Sequence, residues 1–331
     1  MRHVKRINPG REAAGESFQE SPERGRIAIV IVNYNTREFL RACLATVYSE
    51  APREVVVVDN ASSDGSVEMV QAECSRVRLH ANKSNVGYGA AANQGIASCR
   101  AEYVLLLNSD TLLLPGSLET LTTYLDRYPQ AAVVGPRLVN ADGTLQPSCF
   151  PFPGTLTWFL DNDDVAWLVR RVPLLQKHLL RTWSHNCGRV VPWVKGAALA
   201  IRRSPFESVG GFDESFFLYF EETDLCYRLK SAGWQIHFAP QATITHVGEA
   251  STIQHCTAMT VQMVRSNLLF CRQHYTTTWC TALALIMRVT VMARLIRDAM
   301  RLYIEPNPSK CARIAADLAA WRCLLLARWR E

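Results

Sequence analysis

Short runs of aliphatic, mostly β-branched residues recur along the first third of the chain. Residues 27–32 (IAIVIV) and 55–58 (VVVV) have the length and continuity of buried parallel strands, and the runs at 77–79 and 103–107 fit the same interpretation. The segments between them have helical spacing, and Thr36 is placed to be the N-cap of the first helix. This alternation predicts an α/β fold, with a mostly parallel, Rossmann-like sheet flanked by helices and ligands bound at the carboxyl ends of the strands.

The cysteines and residues 1–25 indicate the cellular compartment of the protein. The chain has 331 residues and eleven cysteines without a CxxC pair, and an odd, unpatterned set in a chain of this length favours a reducing compartment. Residues 1–25 lack an apolar run, so they are predicted to form a disordered lead rather than a signal peptide. We therefore expect a cytoplasmic protein.

The end of the chain is predicted to be helical and is strongly basic. From Met259 onward there are eleven Lys and Arg residues against four Asp and Glu, whereas the remainder is nearly neutral. The apolar segment 279–293 is interrupted by Arg288 and is expected to fall short of a membrane span, and a last helix is expected from Asn307–Pro308. Residues 258–331 are predicted to be a basic amphipathic extension on an anionic membrane surface, the alternative being simple packing on the preceding domain. Nucleic acid is not an expected partner, because the aromatic residues do not interleave with the arginines.

Several motifs of α/β enzymes are missing from the sequence. No GxGxxG follows the first predicted strand, which disfavours a dinucleotide-dependent dehydrogenase, and no GxxxxGK[ST] is present, which excludes a P-loop NTPase. No GxSxG is present either, so an α/β-hydrolase is disfavoured. Other residues at the ends of the predicted strands must therefore indicate the function.

Polar and glycine-bearing segments follow the predicted strands in a fixed order. They are 32–35 (VNYN), 58–66 (VDNASSDGS), 85–95 (NVGYGAAANQG), 106–110 (LLNSD), 195–197 (KGA), 211–214 (GFDE) and 220–224 (FEETD). With these segments, over roughly residues 26–250, the sequence resembles the inverting family 2 glycosyltransferases and, within them, the bacterial rhamnosyltransferase-like branch.

The resemblance implies a fold and a reaction. It implies a GT-A type catalytic domain over residues 26–257 and transfer of a sugar from a nucleotide-diphosphate donor with inversion. On the branch alone, the first donor to expect is dTDP-L-rhamnose, while galactofuranose, mannose and N-acetylglucosamine donors stay open. The implied acceptor is a glycan or a polyprenyl-diphosphate-linked sugar of cell-envelope polysaccharide synthesis, which would bring the protein to the inner face of the plasma membrane as a peripheral protein.

Five residues are candidates for binding the nucleotide. Asp59 can accept a hydrogen bond from the N3–H of uracil or thymine, and the resemblance gives the matching aspartate that role. Asn33 and Asn35 resemble the loop that lines the base pocket. Asn85 and Gly87 resemble the segment that brings the backbone close to the nucleotide, where only a glycine avoids a Cβ clash.

Two residues are candidates for holding a divalent cation. Asp110 matches the last acid of the family's DxD-type motif, which here is Asn108–Ser109–Asp110 and so contains a single acid. His246 resembles a metal-binding histidine of the family. A carboxylate, an imidazole and phosphate oxygens suit Mg²⁺ or Mn²⁺, which would neutralise the leaving diphosphate.

An acid pair after an aromatic run is the candidate catalytic group. Glu222 stands where the resemblance places the general base, and at the first turn of a helix the dipole favours its ionised form. Glu221 is a possible secondary residue. Asp224 is the rival base, although Arg228 four residues later favours a structural ion pair for it.

Two other functions stay open at this stage. A sugar-phosphate nucleotidyltransferase has a similar sheet, but its glycine-rich opening is replaced here by Asn33–Tyr34–Asn35. A non-catalytic sugar-nucleotide binder is suggested by the single acid at the metal motif. The residues do not identify the acceptor, the linkage or the oligomeric state.

Overall fold

The computed structural model describes residues 26–154, 183–248 and 256–304, with scattered positions between 157 and 180 and between 311 and 322. The predicted lead 1–25 and the start of the last helix at Asn307–Pro308 lie outside the described residues. The first elements are β1 (Ile27–Asn33), α1 (Arg37–Ser49), β2 (Glu54–Asp59), α2 (Ser66–Glu73), β3 (Val77–Ala81), α3 (Tyr88–Ser98), β4 (Tyr103–Asn108), β5 (Thr111–Leu113), α4 (Ser117–Arg127) and β6 (Ala131–Val139). Then come β7 (Leu145–Gln146), β8 (Cys149–Phe150), β9 (Arg189–Val191), β10 (Trp193–Val194), β11 (Ala198–Arg202), α5 (Arg203–Ser208), α6 (Glu221–Ser231), β12 (Gln235–His246), α7 (Cys256–His274) and α8 (Thr277–Ile304).

One large sheet organises the domain. Its strand order is β3-β2-β1-β4-β11-β6-β12-β5, with β7 on β6 and β9 on β12, while β8 and β10 form a separate pair. Strands β1 to β4 are mutually parallel, β11 runs antiparallel to β4 and β6, and β12 runs parallel to β6. The predicted mostly parallel α/β sheet is therefore confirmed, and its central strands end at one edge.

The central strand β1 shows why the sheet needs helices on both faces. Every one of its seven residues is buried. Ile29 and Ile31 belong to one apolar cluster, which includes Leu40 and Leu44 of α1. The alternate positions of β1 belong to a second cluster, which includes residues of α3 and α6. Because successive side chains point to opposite faces, a continuous aliphatic run is stable only between two layers.

The first helix is capped differently from the prediction. Thr36 is at the N-cap position but makes no capping hydrogen bond with its side chain. Its hydroxyl instead donates to Asn33 Oδ1 at 2.7 Å and lies 2.6 Å from Ser109 Oγ. The first helical amide, that of Arg37, donates to Asp64 Oδ2 at 2.7 Å. Thr36 thus joins the ends of β1 and β4, and the capping carboxylate comes from the next loop.

The helices after the sheet form a third apolar cluster with the preceding domain. Phe216 is 1% exposed and packs with Phe270 and Leu268 of α7 and with Leu283 and Met287 of α8. Within the described residues, Thr277–Tyr303 has a mean hydropathy of 1.6 and is long and apolar enough to cross a membrane, by length and composition only. The expectation that this segment falls short of a span is therefore wrong, because the helix is longer than the run 279–293. The proposed division at residues 257 and 258 stays a prediction.

Candidate active site

A cleft of about 380 Å³ lies at the carboxyl-end edge of the sheet. Its wall combines residues that follow β1, β2 and β4 with residues from the loop before α6, from the end of β12 and from α7. Of the predicted site residues, those that line the cleft are Asn85, Gly87, Asp110 and His246.

The two predicted metal ligands come together in this cleft. Asp110 follows β4 and His246 is the last residue of β12, and the β12–β5 ladder pairs His246 with Thr111. The amide of Val247 donates to the Asp110 carbonyl at 3.0 Å. As a result His246 Nε2 lies 3.4 Å from Asp110 Oδ1, and both side chains are largely buried.

The hydrogen bonds around His246 fix which nitrogen faces Asp110. Gln146 Oε1 accepts a hydrogen bond from Lys195 Nζ at 3.3 Å, so this atom is the amide oxygen, since a lysine ammonium is a donor only. His246 Nδ1 lies 2.6 Å from the same oxygen and must therefore carry the hydrogen. In the neutral imidazole, Nε2 then presents its lone pair towards the Asp110 carboxylate.

This arrangement fits a divalent cation. A lone pair and a carboxylate oxygen at 3.4 Å present two electron-rich atoms to the same point, and a carboxamide behind the imidazole is the support that metal-binding histidines use. Among the described residues, no three His, Cys, Asp or Glu side chains form a group that could hold a metal ion. The protein would thus supply two ligands. Gln146 was not identified from the sequence, which carries no signal for a contact between residues 100 positions apart.

Glu221 and Glu222 lie at the first turn of α6 and are not among the residues that line the cleft. The Gly196 amide donates to Glu222 Oε1 at 3.3 Å, and Tyr88 Oη donates to the Gly196 carbonyl at 3.3 Å. Neither Glu221 Oε2 nor Glu222 Oε2 has a hydrogen-bond partner in the described structure. The backbone N–H and C=O of Gly196 therefore connect Glu222, the candidate base, with Tyr88.

The surroundings of this acid pair favour the protonated forms. Burial raises the pKa of Glu222, opposed by backbone hydrogen bonds and by the charge of Lys195. Burial, followed by repulsion from Glu222, raises the pKa of Glu221 well above its usual range. Desolvation thus opposes the helix dipole and the net direction of the Glu222 pKa is upward, while the role of Glu222 as the base stays a prediction.

Asp224 is engaged in structural contacts. It is 1% exposed, and its Oδ2 lies 2.7 Å from the Arg228 guanidinium. Its Oδ1 lies 2.6 Å from His274 Nε2 of α7. The ion pair with Arg228 agrees with the sequence-based interpretation. The Asp224 carboxylate thus joins α6 to α7, and these contacts favour a structural role over that of a general base.

Asn60 organises the segment that carries Asn85 and Gly87. Its side-chain Nδ2 donates to Asn85 Oδ1 at 2.8 Å and to the Gly87 carbonyl at 3.1 Å. Its Oδ1 accepts a hydrogen bond from the Val86 backbone amide at 3.0 Å. Asn60 was not identified from the sequence, although it directly follows Asp59.

A contact within the protein requires glycine at position 87, and the predicted approach of this segment to the nucleotide stays a prediction. Gly87 has φ 91°, and a Cβ there would lie 2.6 Å from the carbonyl oxygen of Phe217. The Tyr88 amide also donates to this oxygen at 2.9 Å. The close approach that demands glycine is thus made by the protein's own loop before α6.

Of the remaining nucleotide candidates, Asn33 and Asp59 form a buried pair, and the half-buried Asn35 contacts the same β2–α2 loop. Asn33 is 0% and Asp59 is 1% exposed, and Asn33 Nδ2 donates to Asp59 Oδ1 at 2.8 Å. Asp59 Oδ2 accepts from the Ser62 amide at 2.8 Å. Asn35, with φ 53°, accepts a hydrogen bond from the Ser63 amide at 2.7 Å. None of the three is on the cleft wall, and their contact with a base stays a prediction.

The loop before α6 covers one side of the cleft. Phe217, Leu218 and Tyr219 line it, and Tyr219 and Phe220 have φ values of 66° and 71°. Two adjacent non-glycine residues in this region are strained and persist only where their surroundings hold them. The hydroxyl of Ser266 on α7 supplies part of that support by donating to the Leu218 carbonyl at 2.8 Å.

Comparison with known proteins agrees with this geometry. Residues 28–149 match Glycosyl transferase family 2, and residues 175–292 match Glycosyl transferase family group 2. The chain is 28% identical over 301 residues to the N-acetylglucosaminyl-diphospho-decaprenol L-rhamnosyltransferase of Mycobacterium tuberculosis, covering 83% of this chain and 94% of that protein. It is 25% identical over 232 residues to the rhamnosyltransferase WbbL of Escherichia coli, covering 66% of this chain and 83% of that protein.

A solved structure supports the fold. The mannosyltransferase PcManGT of Pyrobaculum calidifontis, in complex with GDP-Man and Mn²⁺, has a TM-score of 0.53 to this chain at 17% identity, covering 92% of this chain and 88% of that one. The sheet has the GT-A fold. The chain belongs to glycosyltransferase family 2 and is similar to its rhamnosyltransferases. The predicted family and fold are confirmed, and the nucleotidyltransferase alternative is no longer favoured.

Proposed function

We propose that the protein transfers a sugar with inversion from a nucleotide-diphosphate donor to a glycan or polyprenyl-diphosphate-linked acceptor in cell-envelope polysaccharide synthesis. The first candidate donor is dTDP-L-rhamnose. The likeness to two rhamnosyltransferases, one named for a decaprenol-linked acceptor, supports this donor and acceptor class. The single observation that carries the proposal is the convergence of Asp110 and His246, with a 3.4 Å separation, on a cleft beside the Glu221–Glu222 pair.

Asp110 and His246 would hold Mg²⁺ or Mn²⁺ at the donor diphosphate. Such a cation neutralises the charge that develops on the leaving group. The Gln146 carboxamide holds the imidazole so that Nε2 faces Asp110. The presence of Mn²⁺ in the PcManGT complex is in line with this assignment. Lys195, on the same wall, adds a positive charge near the position of the phosphates.

Glu222 would act as the general base. Its Oε1 is bonded to the Gly196 amide, whereas its Oε2 lacks a partner in the described structure. This oxygen is buried, so an acceptor hydroxyl would have to reach it on binding; Oε2 would then take the hydroxyl proton as the acceptor oxygen attacks the anomeric carbon. Attack from the face opposite the leaving diphosphate inverts the configuration. A buried carboxylate with a raised pKa is a stronger proton acceptor once ionised, which suits this role.

The nucleoside would lie against the segment that Asn60 organises. Asn85 and Gly87 on the cleft wall would contact it directly. Asn33, Asn35 and Asp59 would shape the pocket from beneath, and Asp59 would reach the base only if its hydrogen bond to Asn33 or Ser62 is shared or exchanged. This predicts that base recognition involves a small rearrangement of the β2–α2 loop.

We further propose a cytoplasmic protein that works peripherally at the inner face of the plasma membrane. The lipid-linked acceptor class and the basic charge after Met259 support this location. Nucleic acid is not among the proposed partners. The position of the acceptor in the membrane requires the cleft to approach the bilayer surface.

A non-catalytic sugar-nucleotide binder is the second candidate, favoured by the single acid of the metal motif. A panel of nucleotide sugars, screened by thermal shift with and without Mn²⁺, identifies the donor, because a bound ligand raises the unfolding temperature by mass action. Nuclear magnetic resonance of the product formed with the stabilising donor then gives the anomeric configuration. Stabilisation without any transfer to acceptor or water favours the binder, and a retained anomeric configuration contradicts the inverting mechanism.

A further inference from the structure

The long helix α8 exposes large apolar side chains along one face. Six side chains share this face and are 46% to 92% exposed: Leu285, Val289, Met292, Ile296, Met300 and Tyr303. Their spacings of three and four residues place them on one stripe of an α-helix, about 27 Å long at 1.5 Å per residue. We refer to these six residues as the α8 stripe. Exposed apolar surface this continuous marks a site of interaction.

The opposite face of α8 is attached to the catalytic domain. Leu283, Met287 and Val291 are 1%, 0% and 2% exposed. They pack in the cluster that contains Phe216, the residue directly before the loop that lines the cleft. A helix crossing the bilayer would carry this loop into hydrocarbon, although the donor cleft must stay in water. The packing therefore disfavours a spanning orientation while the domain is folded as described.

The charged groups of α8 agree with this conclusion. Asp298 is 4% exposed and lies 2.9 Å from Arg297 Nε and 3.7 Å from Arg301 NH1. These residues are on the side of the helix away from the α8 stripe, by the 100° step per residue. Charged side chains of this kind are costly at the depth of the hydrocarbon core. The stripe itself contains no charged residue.

A groove with two arginines borders the stripe. It has a volume of about 630 Å³ between α7 and α8, and Arg272, Arg288 and Leu285 line it. Leu285 belongs to the stripe, so the arginines lie at the edge of the apolar surface. Helices α7 and α8 together contain six arginines and one acidic residue, Asp298. Apolar side chains beside cationic groups complement an anionic bilayer, with hydrocarbon below and phosphates at its edge.

We propose that α8 lies flat on an anionic phospholipid bilayer, with the α8 stripe inserted among the acyl chains and a lipid phosphate bound in the groove between Arg272 and Arg288. Met259, near the start of α7, lines the catalytic cleft, whereas Arg272, near the end of α7, lines this groove. Met259 and Arg272 are 13 residues apart along α7, about 20 Å. The groove is thus separate from the donor site, and the lipid in it is an anchor rather than the acceptor.

The test is flotation of the full-length protein with vesicles that contain neither donor nor acceptor, so that its result is independent of the proposed sugar transfer. We expect binding to phosphatidylcholine–phosphatidylglycerol vesicles that persists in part at high salt, because apolar insertion is not screened. Val289→Glu combined with Ile296→Glu is expected to reduce partitioning about a hundredfold, the scale of two inserted aliphatic side chains. The matched control, Phe39→Glu with Leu114→Glu, changes two exposed apolar residues outside the stripe and is expected to bind like the wild type.

Further measurements separate this proposal from its rivals. Arg272→Gln and Arg288→Gln are each expected to lower the preference for anionic over neutral vesicles about fivefold. Alkaline carbonate is expected to release the bound protein, and resistance to release would instead indicate a spanning helix and overturn the proposal. Equal loss of binding in the stripe variant and its control would overturn it as well. A dimer that the stripe substitutions dissociate would also overturn the proposal. The same holds if the stripe variant unfolds and residues 305–331 are found to cover the α8 stripe.

Discussion

His246 Nε2 and Asp110 Oδ1 lie 3.4 Å apart, although 136 residues separate them in the chain. The pairing of β12 with β5 places them together, and Gln146 orients the imidazole. If this pair holds a divalent cation, the orientation of the imidazole by Gln146 should affect cation binding.

Gln146→Met is expected to weaken Mn²⁺ binding about 10- to 100-fold, the usual effect of removing a group that orients a metal-binding histidine. The substitution preserves the length of the side chain but removes the acceptor for His246 Nδ1. Titration of Mn²⁺ into protein saturated with nucleoside diphosphate measures the effect. Asn140→Ala, which removes a neighbouring contact of Gln146 without touching the imidazole, serves as control. An unchanged Mn²⁺ affinity in Gln146→Met would show that the pair does not hold the metal.

Glu222→Gln is expected to lower turnover roughly 10²-fold or more while donor binding is retained, since the amide cannot accept the acceptor's proton. The pH profile of kcat/KM supplies a second test. Because burial raises the pKa of Glu222, the activity should begin to fall, on acidification, at a higher pH than an exposed glutamate would give. Turnover within threefold of the wild type would remove Glu222 from the mechanism and would bring Asp224 back as the candidate.

Glu221→Gln is expected to stabilise the protein at neutral and alkaline pH. The pKa of Glu221 is raised in the folded state. The stabilisation that protonation gives is therefore complete below the pKa of the unfolded chain and is lost as the pH rises through the folded-state value. The free energy of unfolding, measured by urea titration from acidic to alkaline pH, should fall less in the variant than in the wild type. A steeper fall in the variant would contradict the assignment.

Gly87→Ala is expected to destabilise the protein by more than about 1–3 kcal/mol, since the backbone strain at φ 91° is joined by a 2.6 Å approach to the Phe217 carbonyl oxygen. Gly143→Ala is the matched control: its φ is 81°, but a Cβ there meets nothing within 4 Å. We expect the control to lose only the backbone component, about 1 kcal/mol. Equal losses of unfolding free energy in the two variants would show that the loop before α6 can move to accommodate the added Cβ, which would contradict the expected difference.

Much of the fold could be predicted, because the strands are buried on both faces and so leave continuous aliphatic runs in the sequence. The run at 27–32 became β1 (Ile27–Asn33) with only its last residue missed. Less of the candidate site could be predicted from the sequence. Asp110 and His246 followed from the resemblance, but Gln146 depends on the β6–β7 pairing and leaves no local pattern. Asp59 matches a binding motif, yet its burial against Asn33 is a tertiary fact that no spacing reveals.

Sugar transfer is tested most directly by the release of nucleoside diphosphate from dTDP-L-rhamnose and from the other candidate donors, with a polyprenyl-diphosphate-linked N-acetylglucosamine acceptor. We expect acceptor-dependent release and transfer of the sugar with inversion. Both should stop in EDTA, return with Mn²⁺ or Mg²⁺, and be lost in Glu222→Gln, Asp110→Ala and His246→Ala. Donor binding without release from any donor, or full activity in EDTA, would contradict the proposed function.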